Sequence, residues 1–308
     1  MKLIVLGSGA GLPSKDRNTQ SIILDCVDEY NEYILFDVGE ATQHRILNTH
    51  IKPSKIKNIF ITHLHGDHIF GLPGFLSSRA FQGGQNIPLT IYGPKGIEEW
   101  LESTFSVSKS TLNYDLNIVE VEADMKIALN NFDVSVHELE HGIESFVYIL
   151  KEKDKIGELN SAALKDLGIP PGPIYSDIKR GESFEFEGQI YESKDFIGDK
   201  IKGRKIAIHG DTRVVSRQAY LDDLKGADLI VHEATFFQDE SQKAHDYFHS
   251  EINHVLDNFK DLSYKILVFV HISNRYDDAD IDLVKTNLKD NVFIAHDYFE
   301  LPIPRNVQ

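Results

Sequence analysis

Residues 62–68, Thr-His-Leu-His-Gly-Asp-His, place three imidazoles and a carboxylate within six consecutive positions, directly after the apolar run Asn58-Ile-Phe-Ile-Thr62. An isolated histidine is most often solvated or packed. A set this dense behind a buried-looking strand meets the needs of a divalent metal, because zinc takes imidazole nitrogen and carboxylate oxygen together. A loop leaving a strand can turn alternate side chains inward, so His63 and His65 are read as ligands of one ion and Asp67 and His68 of a second. The chain holds fourteen histidines, and it is their clustering that matters here.

A binuclear centre needs a bridging group and more ligands than this segment supplies. His141 in His137-Glu-Leu-Glu-His141, Asp211 in Gly210-Asp-Thr212 and His271 in Val268-Phe-Val-His271 each end a strand-like pattern. Seven candidate ligands result, with Asp211 the natural bridge. Cys26 is the only cysteine, so intrachain disulfides are excluded and the ligands must be nitrogen and oxygen. As a lone thiol in an apolar run, Cys26 reads as core filler.

The 308 residues suffice for one large domain or two fused halves of similar architecture. No apolar stretch approaches the roughly 18 residues of a membrane span, and Met1-Lys-Leu-Ile-Val-Leu6 runs into a Gly-rich turn instead of a cleavage site. A cytoplasmic protein without membrane association is expected. Net charge is −16, which by itself argues against a nucleic-acid partner. The average conceals a neutral stretch: residues 151–205 hold eleven Lys/Arg and eleven Asp/Glu, and Lys200, Lys202, Arg204 and Lys205 form its basic end.

Short apolar runs alternate with helical patterns, which predicts an α/β fold with strands covered by helices. Strands are expected at Lys2–Leu6, Gln20–Asp25, Tyr33–Asp37, Asn58–Thr62, Leu89–Tyr92, Phe132–Leu139, Phe146–Leu150, Lys205–His209, Asp228–His232 and Lys265–His271. Helices are expected at Glu40–Thr49, Leu72–Phe81, Gly96–Phe105, Ser216–Leu224, Gln238–Tyr247, Ser250–Phe259 and Asp280–Leu288. Polar clusters lie just past several of these strands, which points to one shared rim at their C-terminal ends. Residues 151–203 break the alternation with Gly168-Ile-Pro-Pro-Gly-Pro173 and Lys179-Arg-Gly-Glu182; a stretch this long and aperiodic reads as a functional insertion or projecting arm, against a disordered surface insertion.

The ligand set resembles that of the metallo-β-lactamase superfamily, and further stretches resemble ribonuclease Z within it. Pro13-Ser-Lys-Asp-Arg-Asn18 is similar to that family's Pro-x-Lys-x-Arg-Asn loop, and Leu35-Phe-Asp-Val-Gly-Glu-Ala-Thr-Gln43 to its first acidic motif. Gly66–Gly74 extends the metal loop in the family's manner. His232-Glu-Ala-Thr235, His271-Ile-Ser-Asn-Arg-Tyr276 and the Gly168–Pro173 stretch resemble its His-Glu-Ala-Thr motif, its last ligand segment and its tRNA-gripping arm. Three positions depart from the family pattern: His209 where a small residue is usual, Val147 where Gly is usual, and Glu251 where Thr is usual.

The resemblance implies a four-layer αβ/βα metallo-β-lactamase sandwich over residues 1–308, with a tRNA-binding arm at 151–203 inserted in the second half. It implies two Zn2+ per subunit, one held by His63, His65, His141 and Asp211 and the other by Asp67, His68, Asp211 and His271. It also implies cleavage of precursor tRNA by water, leaving a tRNA 3′-hydroxyl and a trailer with a 5′-phosphate, and a homodimeric enzyme. Asp67 would orient the water and take its proton. His249 would contact the phosphate or protonate the leaving 3′ oxygen, with Glu233 and His232 orienting it. Lys15, Arg17 and Asn18 would meet RNA phosphates near the cut, and Lys179 and Arg180 would meet them on the arm.

Two other readings share the metal core. A hydrolase of a small lactam, thioester or phosphodiester would have no need of the arm or the Pro-Lys-Arg-Asn loop. A non-catalytic RNA-binding protein would have no need of an intact ligand set.

Overall fold

The computed structural model describes residues 1–237 and 239–305. Its strands are β1 (Lys2–Gly7), β2 (Ser21–Asp25), β3 (Tyr33–Phe36), β4 (Ile56–Phe60), β5 (Leu89–Gly93), β6 (Leu116–Glu120), β7 (Lys126–Ala128), β8 (Phe132–Glu138), β9 (Phe146–Glu152), β10 (Phe184–Phe186), β11 (Gln189–Tyr191), β12 (Lys205–His209), β13 (Ala227–Glu233), β14 (Tyr264–Val270), β15 (Val292–Ile294) and β16 (Phe299–Pro302). The chain divides into two compact units, one of residues 1–151 and 205–304, the other of residues 152–204 with Arg305.

The larger unit contains two seven-stranded sheets, ordered β16-β1-β2-β3-β4-β5-β6 and β15-β14-β13-β12-β9-β8-β7. Each joins an antiparallel part to a parallel run, β3 to β6 in the first and β12 to β15 in the second. Central strands such as β2, β3 and β13 are buried at every position, so they read as continuous apolar runs with no alternation. The inner faces of both sheets meet in one cluster that includes Val5, Ile22, Phe36 and Phe60 from the first and Phe132, Tyr148, Ile208 and Val268 from the second. Phe60 lies at its centre, stacked on Tyr92 at 4.7 Å and on Phe36 at 5.5 Å, with Tyr148 tilted against it at 4.9 Å. Truncating such a ring to alanine costs about 3–5 kcal/mol.

The outer faces are covered by helices. Leu72–Phe81 and Ile97–Ser108 pack Phe75, Leu76, Ile97 and Leu101 onto the first sheet, and Gln218–Leu224, Ile252–Asn258 and Asp278–Lys285 pack Leu224, Val255 and Ile281 onto the second. The larger unit is therefore the expected sandwich of helix, sheet, sheet and helix layers.

All ten strands expected from the sequence form, with ends shifted by one or two residues. The expected strand Asn58–Thr62 runs from Ile56 to Phe60, which leaves Thr62 and the histidines beyond it outside the ladder. All seven helices form as well; for the one expected at Gln238–Tyr247 the helix is Ser241–Asp246, and Gln238 lies outside the described residues. The four strands of this unit that the sequence did not announce, β6, β7, β15 and β16, are the outermost strands of the two sheets.

The smaller unit has the short helices Ser161–Asp166 and Pro173–Lys179 and the hairpin β10–β11. Leu164, Ile169, Ile178, Phe184 and Phe196 form its own apolar cluster. Asn160 caps the first helix by accepting from the Ala163 amide at 3.0 Å, and Pro173 starts the second, where its missing N–H costs nothing. Arg204 donates to both carboxylate oxygens of Glu152 at 2.9 and 3.0 Å, a buried bidentate pair where the segment's two ends come together.

Candidate metal centre and active site

The site is assembled at the ends of strands of the larger unit. Asp37 comes directly after β3, and His63 and His65 lie beyond β4. His141 lies beyond β8, Asp211 beyond β12 and His271 directly after β14, while Glu233 is the last residue of β13. Asp67 and His68 were expected on a loop; they sit instead in a single helical turn, Gly66–Ile69. That turn is fixed to the end of β3 by Val38 N–H donating to the His68 carbonyl and Gly71 N–H donating to the Val38 carbonyl. Gly71 is required there, because a Cβ would lie 1.9 Å from the Gly39 carbonyl oxygen. Asp37 and His271 adopt left-handed backbone, φ 53° and 55°, conformations that cost about 1–3 kcal/mol and are tolerated where they aim a functional side chain.

Three groups of potential ligand atoms form, the atoms of each within 4.8 Å of one another: His63, His65 and His141; Asp67, His68, Asp211 and His271; and Glu233, His249 and His271, of which the first two hold the expected ligands. Asp211 Oδ2 lies between those two, 3.6 Å from His63 Nε2, 3.5 Å from His68 Nε2 and 3.2 Å from His271 Nε2. The outward nitrogens of three rings are held by acceptors. His68 Nδ1–H donates to Asp37 Oδ2 at 2.8 Å, and His141 Nδ1–H donates to the Phe248 carbonyl at 2.8 Å. His271 Nδ1–H donates to Thr235 Oγ1 at 2.9 Å, since that hydroxyl gives its own proton to Glu233 Oε2 at 2.7 Å. Each neutral ring therefore turns a lone pair on Nε2 into the cluster.

In the neutral rings the lone pairs of His68 Nε2 and His271 Nε2 confront one another at 3.3 Å, whereas His141 Nε2, 3.1 Å from His65 Nδ1, can accept a proton from that ring. His63 Nε2 is buried with no hydrogen-bond partner among the described residues. Acceptors packed against acceptors, with one orphaned outright, are unfavourable unless a cation lies between them. The residues present thus fit a metal centre.

The electrostatics agree. Burial lowers the pKa of His63, His65 and His141, favouring the neutral rings that ligate a metal. At His68 burial acts the same way but Asp211, Asp37 and Asp67 outweigh it and raise the pKa well above the usual range; a field that draws a proton to that nitrogen draws a metal cation too. Burial pushes Asp67 up, and the neighbouring His68 and the bond with His271 outweigh it, holding the carboxyl below the usual range. Burial would lower His249, but Glu233, 2.9 Å from His249 Nδ1, outweighs it and lifts the imidazole to about 9.

Glu233 Oε1 accepts from Thr212 N–H and His249, and Oε2 from the Thr235 amide and hydroxyl, at 2.7–3.0 Å. With both oxygens engaged, it orients His249 and, through Thr235, His271. His232 is buried behind it, Nδ1 donating to the Glu233 carbonyl at 2.7 Å and its ring against His209 and Phe259. A cavity of about 530 Å3 opens over Asp67, Asp211, His249 and His271, and Lys243, Tyr247 and Arg275 also line it.

The candidate RNA-binding residues near the N-terminus divide. Lys15 is exposed. Arg17 donates through Nη1 to Ser8 Oγ at 2.7 Å and to the Ala295 carbonyl at 2.8 Å, and the Asn18 side chain donates to the Glu40 carbonyl at 2.7 Å. Both thus serve first to hold their own loop. Lys179 and Arg180 are exposed in the smaller unit, where Arg180 is already paired with Asp177 and Glu182.

Several groups escaped the sequence reading. Gly11 N–H donates to Asp67 Oδ2 at 2.8 Å, and no side-chain pattern can announce a backbone donor. Asp297 accepts from Ser8 N–H, Ser8 Oγ, Asn18 N–H and Arg45, and so pins the loop that carries Gly11. It lies shortly after β15, a strand the sequence did not reveal, so nothing marked it as a strand-end position. Asp37, Thr62 and Thr235 stood within quoted motifs without a role assigned to them.

The three departures are absorbed locally. His209 is satisfied by the Val231 carbonyl and the Tyr220 hydroxyl, both at 2.7 Å, and Val147 packs in the outer cluster of the second sheet. Glu251 caps the helix Ile252–Asn258, its Oε2 accepting from the His254 amide at 3.1 Å. Its Oε1 is buried without a partner among the described residues, for which the structure offers no account.

Residues 1–156 match the family model described as Anti-Pycsar protein Apyc1. Ribonuclease Z of Bacillus subtilis (strain 168) is 44% identical over 309 residues, covering 99% of this chain and 100% of that protein. Ribonuclease Z of Staphylococcus saprophyticus is 44% identical over 289 residues, 94% of each chain. Among solved structures, human tRNase Z, short form (ELAC1), aligns with TM-score 0.73 at 27% identity over 99% of this chain and 100% of that one. The metallo-beta-lactamase fold protein YhfI from Bacillus subtilis, 15% identical with TM-score 0.66 over 97% and 98% of the two chains, shares the fold. The near-complete coverage at this identity shows that the chain belongs to the ribonuclease Z family.

Proposed function

We propose that this protein is a zinc-dependent endoribonuclease that cuts precursor tRNA on its 3′ side, leaving a 3′-hydroxyl on the tRNA and a 5′-phosphate on the trailer. The observation that carries the metal reading is the convergence of the His63, His68 and His271 ring nitrogens on Asp211 Oδ2, with His63 Nε2 orphaned. We read two Zn2+ per subunit from two ligand groups that share Asp211: His63, His65 and His141, with Asp211 3.6 Å from His63, for one, and Asp67, His68, Asp211 and His271 for the other. Bound there, such ions supply an activated water at neutral pH and offset charge on the phosphodiester during in-line attack.

The chain's own residues do the rest. Asp67 has Oδ2 fixed by the Gly11 amide, which leaves Oδ1 to take the proton of the attacking water. His249 is held protonated by Glu233 at the cavity wall and gives that proton to the departing 3′ oxygen as the P–O3′ bond breaks. Glu233 fixes the His249 ring, and His232 supports Glu233 from behind. We read residues 152–204 as the arm that holds tRNA, Lys15 as a phosphate contact beside the cut, and the enzyme as a homodimer of the cytoplasm. No helix among the described residues is long and apolar enough to cross a membrane.

The family match over residues 1–156 stops short of most of residues 152–204 and of Asp211 and His271, so a hydrolase of small phosphodiesters is the reading to exclude. Purified protein incubated with an unprocessed tRNA transcript, with and without chelator, answers this when the cut end is mapped. Cleavage at the 3′ side, loss with chelator, and about two zinc per chain by elemental analysis are expected. Hydrolysis of bis(p-nitrophenyl) phosphate with an uncut transcript would overturn the reading.

A further inference from the structure

The cavity that holds Asp67, Asp211, His249 and His271 also presents two large apolar side chains, Leu12 and Tyr247, each 64% exposed. Scattered exposed apolar groups are ordinary on a protein surface. These two differ because the backbone around them is tied to the reacting centre. Gly11 N–H donates to Asp67, Ala10 N–H donates to the Ile272 carbonyl at 3.1 Å, and Asn274 Nδ2 donates to the Leu12 carbonyl. Leu12 is thereby fastened beside a metal-ligand carboxylate and the residue after His271. Tyr247 ends the helix Ser241–Asp246 two positions before His249, and its N–H donates to the Lys243 carbonyl at 3.0 Å. Its ring lies 6.5 Å from that of Phe236, which is 4% exposed and forms an apolar backing.

The same cavity carries Lys243 and Arg275, whose charged ends meet at Glu240 at 2.8 and 2.6 Å. Cations, an apolar surface and a hydrolytic centre thus share one space of about 530 Å3, within the size range of small-ligand clefts of about 300–1,000 Å3. An unpaired nucleotide has the matching parts: an anionic phosphate, and a base whose flat face is apolar. We propose that Tyr247, with Leu12, is the seat on which the unpaired base adjoining the cleaved phosphodiester stacks. This deepens the ribonuclease reading and rests on it. Stacking on an aromatic ring accepts any base, because every base has a π face. The seat therefore selects for an unpaired, splayed nucleotide at the cut, irrespective of its identity; a base held within a helix cannot reach it.

The test couples the ring to the base. Precursor-tRNA transcripts carrying a single abasic nucleotide, either just before or just after the scissile phosphate, are cleaved by zinc-loaded wild-type protein and by Tyr247→Ala and Tyr247→Phe. In the wild type one of the two abasic transcripts should lose about tenfold or more in kcat/KM, the scale of one base–aromatic stack. In Tyr247→Ala the intact transcript should lose a similar factor, and removing that base should then cost less than about twofold, since the stacking partner is already gone. Tyr247→Phe should restore both the rate and the sensitivity. Metal content and melting temperature equal to wild type in all variants assign the loss to the seat. Additive losses at both abasic positions in Tyr247→Ala would overturn the seat while leaving the ribonuclease reading intact. Wild-type protein that cuts no precursor tRNA would overturn both.

Discussion

The strand-end cluster and the unit of residues 152–204 place their charges in opposite settings. In the cluster, His68, Asp211, Glu233 and His271 are at most 2% exposed, and the outward nitrogens of His68 and His271 and both oxygens of Glu233 are answered by named neighbours. In the smaller unit, apart from the buried Glu152–Arg204 pair at its ends, the apolar cluster is of five buried side chains and Lys179 and Arg180 face solvent. Buried charges act through fixed geometry in a weakly screened environment, whereas exposed ones act collectively and through salt-dependent attraction. The contrast predicts that single atoms matter in the first region and that only the whole matters in the second.

The sharpest break comes from Asp67→Ala. It removes a proposed metal ligand, the acceptor of the Gly11 amide and the proposed proton acceptor together, so cleavage of precursor tRNA should fall by on the order of 10³-fold or more, as several kcal/mol of barrier lowering are lost. Binding of the same tRNA, measured by filter retention, should stay within about threefold, because phosphate contacts carry most of the affinity. Turnover near the wild-type level would dismiss the role given to Asp67.

Removing the smaller unit asks the converse. Lys155 and Ile201 exchange backbone hydrogen bonds at 2.9 Å in both directions, so a short Gly-Ser turn joining them can replace residues 156–200. Precursor-tRNA cleavage should drop by about 10²-fold, the loss of several phosphate contacts at once, while hydrolysis of bis(p-nitrophenyl) phosphate should persist. Equal loss on both substrates would show that the unit supports the metal cluster and not the RNA.

The two regions also differed in how much of them the sequence disclosed. Interior strands such as β2, β3 and β13 are buried on both faces and stood out as apolar runs. The outermost strands stayed hidden, since β6 and β16 mix half-buried and exposed positions and β7 and β15 have three residues each. In the smaller unit, helices of six and seven residues are too short to show a period. At the site the residues that cluster were legible, because their types and dense spacing are those a metal centre would need. The Gly11 amide, the Phe248 carbonyl, Thr235 and Asp297 were not, because hydrogen bonds of that kind can be made by common groups whose neighbours only the folded chain reveals.

The gentlest test lies inside the smaller unit. Lys179 and Arg180 are adjacent, exposed and of equal charge, and the sequence offers no reason to rank them. The structure does: the Arg180 guanidinium is engaged by Asp177 and by Glu182, at 3.0 Å for the latter, whereas Lys179 has no ion pair among the described residues. An arginine shared between two carboxylates presents little net charge to a phosphate and must release partners before binding one. Lys179→Ala should therefore weaken precursor-tRNA binding about two- to fivefold and lower the slope of log Kd against log salt by about one, the signature of one lost phosphate contact. Arg180→Ala should change both by less. If the arginine variant shows the larger loss, its carboxylate partners let go on binding and the ranking drawn from the free protein fails; if neither variant moves the slope, this face of the unit does not meet RNA.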